Sequence, residues 1–220
     1  MTRRRIGLLG GTFDPIHVGH LALARAARDA LRLDEVRLIP TGRSWQKGAG
    51  GTAAADRLAM TKLASGVDPA FVADDIEVRR GGDSYTIDTL LALRRQLGSD
   101  PAFVLILGSD QLRNLASWHR YDELLQHTHI AATQRGGHRL DALPAPVETL
   151  LQAHGRQALP DAPAGAIVFF TMPPVPVSGT ALRAGLARGD RPAELLPPAV
   201  LDYIEQHQLY RADPSAEQSA

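Results

Sequence analysis

Gly10-Gly11-Thr12-Phe13-Asp14-Pro15-Ile16-His17-Val18-Gly19-His20 is the stretch on which the reading of this chain turns. It follows the apolar run Ile6-Gly7-Leu8-Leu9 and opens a segment whose apolar residues recur at helical spacing over 18–31. A strand that passes through paired glycines into a helix suits the ligand site of an open α/β sheet, where ligands bind outside the carboxyl ends of the strands. Glycines let backbone amides approach a ligand with no Cβ in the way, and a helix start gathers unpaired N–H groups and positive dipole. A phosphate fits that environment. His17 and His20, three residues apart, are expected on one helix face and aimed at the same anion, whose charge favours protonated imidazole. The plainer alternative is a tight turn at the glycines followed by two ordinary, partly buried histidines.

Outward from this stretch the same unit repeats. Short apolar runs at 5–9, 36–39, 71–73, 103–107, 129–132 and 166–170 lack the polar alternation of a half-exposed sheet, and helical patterns lie at 18–31, 53–64, 87–97, 111–115, 147–153 and 180–187. The expectation is an α/β fold: a Rossmann-like, doubly wound parallel sheet with helices on both faces. A short C-terminal helical extension is predicted at 197–207, giving one domain over 1–211 and a disordered tail at 212–220. The glycine-rich segment 41–52 predicts a mobile surface loop and 135–146 a second loop. Met172-Pro173-Pro174-Val175-Pro176 predicts an extended approach to the helix near Ser178, since each proline biases its predecessor away from helix.

Composition narrows the function. The chain has 220 residues, with 24 Lys+Arg against 24 Asp+Glu, which excludes a broadly basic nucleic-acid surface and an acidic tail. It has no cysteine, so disulfides, thiolate metal sites and a cysteine nucleophile are excluded, and a cytoplasmic location is expected. Arg3-Arg4-Arg5 precedes an apolar run too short for a signal peptide, and no run reaches the roughly 20 apolar residues of a membrane helix. Neither Gly-x-x-x-x-Gly-Lys-Ser/Thr nor Gly-x-Gly-x-x-Gly occurs, so a P-loop ATPase and a dinucleotide-dependent dehydrogenase lose support. His127-x-His129 predicts an ordinary strand edge rather than a metal pair.

The segment from Gly10 to His20 resembles the GGTFDPxHxGH signature of the nucleotidylyltransferase superfamily that carries the T/H-x-G-H motif. Further segments resemble, in order and spacing, those of the bacterial nicotinate-nucleotide adenylyltransferase family. These are Ser84-Tyr85-Thr86-Ile87-Asp88-Thr89-Leu90, Gly108-Ser109-Asp110 with Trp118, Ser178-Gly179-Thr180-Ala181-Leu182-Arg183, and Tyr203-Ile204 with Leu209-Tyr210. The family usually shows Ser-Ser-Thr-x-Ile-Arg where this chain has Gly179, and Pro-His-Lys where it has Trp45-Gln46-Lys47.

The resemblance implies transfer of the AMP moiety of ATP to nicotinate mononucleotide, with release of pyrophosphate, in NAD biosynthesis. It implies catalytic roles for His17, His20, Arg183 and Lys47. ATP contacts are implied for Gly10, Gly11, Thr12, Phe13, His20, Ser178, Thr180 and Arg183, and mononucleotide contacts for Thr86, Asp110 and Trp118. The residue chemistry agrees: Ser178, Thr180 and Arg183 start a helix and make a second anion site, and a flat indole suits a pyridine ring. Each has a plainer explanation as a helix cap, a surface arginine or core packing. Mg²⁺ is expected mainly on ATP phosphate oxygens, with no dedicated protein metal site. The expected partners are ATP and nicotinate mononucleotide, with no nucleic-acid polymer and no membrane, and the oligomeric state is left open. Phosphopantetheine adenylyl transfer and a nucleotide-binding regulatory module without turnover are the rival readings. Neutral net charge leaves room for a small cationic pocket formed by His17, His20, Lys47 and Arg183.

Overall fold

The computed structural model describes residues 3–43, 51–134 and 143–211. Six strands, β1 (Arg5–Gly11), β2 (Glu35–Pro40), β3 (Phe71–Ala73), β4 (Ala102–Leu107), β5 (His129–Gln134) and β6 (Ile167–Thr171), form one sheet in the order β3-β2-β1-β4-β5-β6. Every pairing is parallel. Helices on both faces make this possible, since parallel neighbours need crossovers. The sequence of β4, Ala-Phe-Val-Leu-Ile-Leu, is buried at every position. Its Phe103, Leu105 and Leu107 pack with Ile87, Leu90 and Leu93 of α4 (Thr86–Leu97). Val104 and Ile106 enter the opposite core with Leu21, Ala24 and Ala27 of α1 (Val18–Leu31). The apolar run without alternation is therefore a strand with two dry faces.

The remaining helices are α2 (Ala54–Ser65), α3 (Ile76–Arg80), α5 (Ser109–Arg113), α6 (Leu124–His127), α7 (Ala145–His154), α8 (Gly179–Ala187) and α9 (Pro198–Gln206). The C-terminal helix α9 lays Val200, Leu201 and Ile204 on the same core as Met60 and Ala64 of α2. Tyr203 donates from its hydroxyl to Asp56 Oδ1 at 2.9 Å, fixing the two helices together.

The strand order reverses beside β1, and the register there creates a crevice. β1 pairs with β2 as far as Gly11 opposite Pro40, but with β4 only as far as Leu8 opposite Leu105. β4 continues to Leu107 against Ala132 of β5. Beyond Leu8, then, β1 keeps a sheet partner on one side only, and the two central strands part.

Several expectations change at this level. β1 runs two residues past the predicted 5–9, taking in Gly10 and Gly11, so the plainer alternative of a tight turn there does not hold. The helix predicted at 111–115 is α5, starting two residues earlier, followed by a 3-10 turn at Leu115–Ser117. The loop predicted to run to residue 146 ends earlier, because α7 begins at Ala145 with a proline in its first turn, where the missing N–H costs nothing. His127 ends α6 rather than sharing a strand with His129. His129 is not on an edge: it starts β5, is buried, and its ring nitrogens meet Ala162 O (2.8 Å) and Ala166 N (3.1 Å). The short helices α3 and α6 were not foreseen, since four or five residues carry no readable period. Most of the 41–52 and 135–146 segments and the 212–220 tail lie outside the described residues.

Candidate active site

The crevice widens into a cavity of about 450 Å³, and its lining gathers three elements. The end of β1 supplies Gly10, Gly11 and Thr12; α1 supplies His20; the start of α4 supplies Tyr85 and Thr86. Gly108, Gln111 and Trp118 close the wall beyond β4.

At the β1 end of the cavity, Gly10 and its neighbours have different reasons for being glycine. A Cβ at Gly10 would meet no atom within 4 Å, so it would project into open space. A Cβ at Gly11 would sit 2.7 Å from the Phe13 ring, and one at Gly19 would sit 2.5 Å from Val177 Cγ1. Gly11 and Gly19 therefore serve packing, and Gly10 serves the cavity. Gly10→Ala is expected to leave the melting temperature within about 2 °C while lowering kcat/KM, whereas Gly19→Ala should cost about 1–3 kcal/mol of stability. Thermal unfolding and steady-state kinetics on both variants check this. An active Gly10→Ala enzyme would place the glycine edge away from the substrate.

The two histidines are stacked, with ring centroids 3.7 Å apart, instead of lying side by side toward one anion. His17 caps α1 and is only 8% exposed. Its Nδ1 has no hydrogen-bond partner among the described residues. Burial lowers its pKa to about 4, so in the ligand-free protein the ring is neutral; the cation expected from the sequence is one beside a bound anion. His20 reaches the cavity, held edge-on to Phe13 at 5.0 Å. Its Nδ1 accepts from the His17 backbone N–H at 3.2 Å, which leaves Nε2 as the ring's N–H. The helix start offers fewer donors than a bare terminus, since the Val18 N–H already donates to Leu195 O at 3.0 Å.

Phe13 is outside the lining, and its ring is buried in the core at 2% exposure. Ser178 caps α8, its Oγ accepting from Ala181 N at 3.5 Å. Arg183 donates through Nη1 to the Asp14 carbonyl at 2.8 Å and through Nη2 to Thr180 Oγ1 at 3.3 Å. The second helix start is thereby tied to the loop after β1, but its arginine lines a separate hollow with Asp14, Asp56 and Tyr210. Tyr210 donates to Asp14 Oδ1 at 2.6 Å, joining the C-terminal segment to the same loop.

At the other end, Trp118 is half-buried on the cavity wall, and its Nε1 is buried without a hydrogen-bond partner among the described residues. Thr86 is the first residue of α4, so its side chain and the unpaired amides of that helix turn stand at the same wall. Asp110 is exposed and outside the lining; Gly108 and Gln111 stand there instead. Lys47 lies outside the described residues. Among the described residues, no group of three or more His, Cys, Asp or Glu side chains is placed to hold a metal ion.

Two buried charges in this region were not foreseen. Glu77, 8% exposed, lines the cavity and accepts from Thr89 Oγ1 at 2.7 Å. Burial pushes its carboxyl up, and the hydroxyls of Thr89 and Ser84 hold it down. Arg57, 5% exposed, is the other. Burial pulls its pKa down, opposed by the charges of Asp14, Tyr210 and Glu77. A signal for Arg57 was present: it stands on the buried stripe Arg57, Met60, Thr61, Ala64, where a helix wants an apolar residue. Glu77 gave none, because α3 itself was illegible.

A parallel sheet in this order, with its hollow at the strand reversal, defines a Rossmann-like α/β protein with a cavity where such folds take their ligands. The sequence profile of the family described as "Cytidylyltransferase-like" matches residues 8–185. A protein of Laribacter hongkongensis named "Probable nicotinate-nucleotide adenylyltransferase" is 45% identical, over 98% of this chain and 99% of its own length. One of the same name from Aeromonas salmonicida is 45% identical over 97% and 100%. Among solved structures, the nicotinic acid mononucleotide adenylyltransferase of Plasmodium falciparum complexed with NaAD superposes with a TM-score of 0.72. It shares 20% identity and covers 94% of this chain and 98% of that one, a likeness of fold. The chain belongs to the cytidylyltransferase-like family, in the branch formed by these bacterial relatives. No helix among the described residues is long and apolar enough to cross a membrane.

Proposed function

We propose that this chain transfers the AMP moiety of ATP to nicotinate mononucleotide, forming deamido-NAD and pyrophosphate in NAD biosynthesis. The observation that carries this reading is the cavity at the strand reversal, with a glycine edge and His20 at one end and Trp118 and the α4 start at the other. The 45% identity to nicotinate-nucleotide adenylyltransferases over nearly the whole chain supports it. The mononucleotide 5′-phosphate oxygen attacks the α-phosphorus of ATP in line; the new P–O bond forms as the α–β bridging bond breaks, and pyrophosphate leaves with the electron pair.

Such a reaction needs placement and charge neutralisation more than a protein nucleophile. In this reading the β1 glycine edge orients the phosphates and His20 Nε2–H donates to the charge developing around the α-phosphorus. His17, neutral without substrate, gains a proton as the polyanion arrives. Arg183, with Ser178 and Thr180, receives the departing pyrophosphate from the neighbouring hollow, to which the Asp14 loop ties it, and the amides at Thr86 take the nicotinate carboxylate beside Trp118. Asp110 and Lys47 remain candidates for ribose and phosphate contacts. Magnesium enters as part of the MgATP substrate, held mainly by the ATP phosphate oxygens. A cytoplasmic location goes with a chain that has no cysteine and takes ATP.

The test is pyrophosphate release from ATP with nicotinate mononucleotide, nicotinamide mononucleotide or phosphopantetheine as acceptor. Release is expected to be fastest with the first. Release with phosphopantetheine alone, or with none of the three, overturns the proposal. Trp118→Ala should raise the KM for the mononucleotide by about 10- to 100-fold, the range of one lost base-stacking contact, and change the KM for ATP by less than about threefold. Equal losses for both substrates would make the indole a packing residue.

A further inference from the structure

We propose that Arg57 is a positioning residue that sets the span between the phosphate-binding edge and the mononucleotide wall of the cavity; this rests on the two-substrate reading of that cavity. The guanidinium donates to three carbonyls from three chain segments: Nη1 to Thr12 O at 2.8 Å, Nη2 to Gly42 O at 2.9 Å and Nε to Thr52 O at 3.1 Å. Thr12 follows β1 and lines the cavity; Gly42 follows β2 and adjoins Thr41, another lining residue. Thr52 precedes α2. One planar group in a fixed fork thus holds the ends of β1 and β2, which together form one side of the crevice, and the approach to α2.

From Gly42 the network runs on to the mononucleotide wall. The Gly42 N–H donates to Ser84 Oγ at 3.1 Å, and Ser84 N–H donates to Arg43 O at 3.1 Å. Glu77 reaches the same place, its carboxyl bonded by Ser84 and Thr89. The approach is so close that a Cβ on Gly42 would lie 2.5 Å from Glu77 O. Ser84, Tyr85 and Thr86 are consecutive wall residues. A displacement at Arg57 therefore moves the β1 edge and the α4 start relative to each other.

Core packing does not account for this residue. Arg57 shares its helix face with Met60 and Ala64, and among the described residues its guanidinium is in no ion pair. A buried charge satisfied only by carbonyls is costly to keep, and an apolar side chain of similar volume is commonly as stable or more so. What the apolar side chain lacks is the three-way hold.

The experiment compares Arg57→Lys and Arg57→Met with the parent enzyme, by melting temperature and by kinetics with both substrates varied. Lysine keeps the charge but cannot span three carbonyls. The expected result is a folded Lys variant whose KM rises about tenfold for both ATP and the mononucleotide, well below its melting temperature. A folded Lys or Met variant with both KM values unchanged makes Arg57 purely structural and overturns the proposal.

Should neither variant fold, the parent enzyme decides by ¹⁵N-detected side-chain spectra. Separate, slowly exchanging Nη1 and Nη2 signals that shift on adding either an ATP analogue or the mononucleotide support the hold. Averaged signals, or signals indifferent to both ligands, overturn it. A parent enzyme that turns over neither substrate pair would instead overturn the proposed function, a separate failure from this one.

Discussion

Replacing His20 by alanine is expected to lower kcat by about 10²- to 10³-fold while the protein stays folded, the scale of removing one donor aimed at charge that develops in the transition state. The direction of the donor follows from its surroundings. His17 N–H engages Nδ1, Phe13 holds the ring edge-on, and the ring of His17 stacks against one face. The imidazole is therefore fixed with Nε2–H as its donor at a cavity wall. His20→Asn separates the two jobs of the ring. Asparagine Oδ1 can accept the His17 N–H in place of Nδ1 but puts no donor where Nε2 stood, so its melting temperature should match the parent and its turnover should match alanine. His20→Gln, with an amide N–H near the Nε2 position, should recover part of the rate. Undiminished turnover in the alanine variant would remove His20 from the mechanism.

The ligand-free protein is expected to lose about 2–3 kcal/mol of stability between about pH 6.5 and pH 4 through His17. The sign follows from the lowered pKa, about 4 in the folded protein against 6.5 in the unfolded chain. Above pH 6.5 both states hold the ring neutral and stability is unaffected. As the pH falls through that interval the unfolded chain takes up the proton first, and unfolding gains. Below the folded value both states are protonated and the loss levels off. The cause is burial, which leaves the charged ring without water. His129, buried and shifted in the same direction, adds to the slope. The comparison is therefore between the parent and His17→Asn, by urea unfolding near pH 7 and near pH 4.5. The variant should lose less at the lower pH, and equal losses would mean that His17 is already solvated. Saturating ATP should shrink the parent's loss, because a polyanion beside the ring favours its protonated form.

Much of this was legible in the sequence. Strands with two buried faces announce themselves as apolar runs, and α1 falls on the predicted residues, 18–31. Of the four residues Gly10, Gly11, His17 and His20 that the sequence groups at one strand-to-helix junction, the two glycines and His20 line the cavity and His17 does not. Legibility failed where long-range contacts decide. Nothing local says that His17 is swallowed by the core while His20 three residues later is not; that depends on the packing around the helix start. Arg183 was read as part of an anion site, but its tie to the Asp14 carbonyl, 169 residues away in sequence, was not readable. Arg57 shows the same limit from the other side, since Thr12 and Gly42 reach it from other chain segments, whereas Glu77 was missed because its helix α3 is too short to read. His127 and His129 looked paired because spacing was read as strand spacing, whereas a helix end falls between them.

The parting of β1 and β4 beyond Leu8 also bears on the thermodynamics of the whole chain. Among the described residues, the end of β1 has no strand partner on the β4 side, so a ligand there can meet backbone that the sheet does not cover. A substrate that occupies the gap binds the folded chain and has no equivalent in the unfolded one. Occupancy and resistance to unfolding are thus linked quantities: at 100 times its dissociation constant a ligand adds about 2.7 kcal/mol. In a cell that keeps its nucleotide pool full, the working stability of this protein is that of the liganded form, and starvation for either substrate exposes the weaker, empty one to proteolysis.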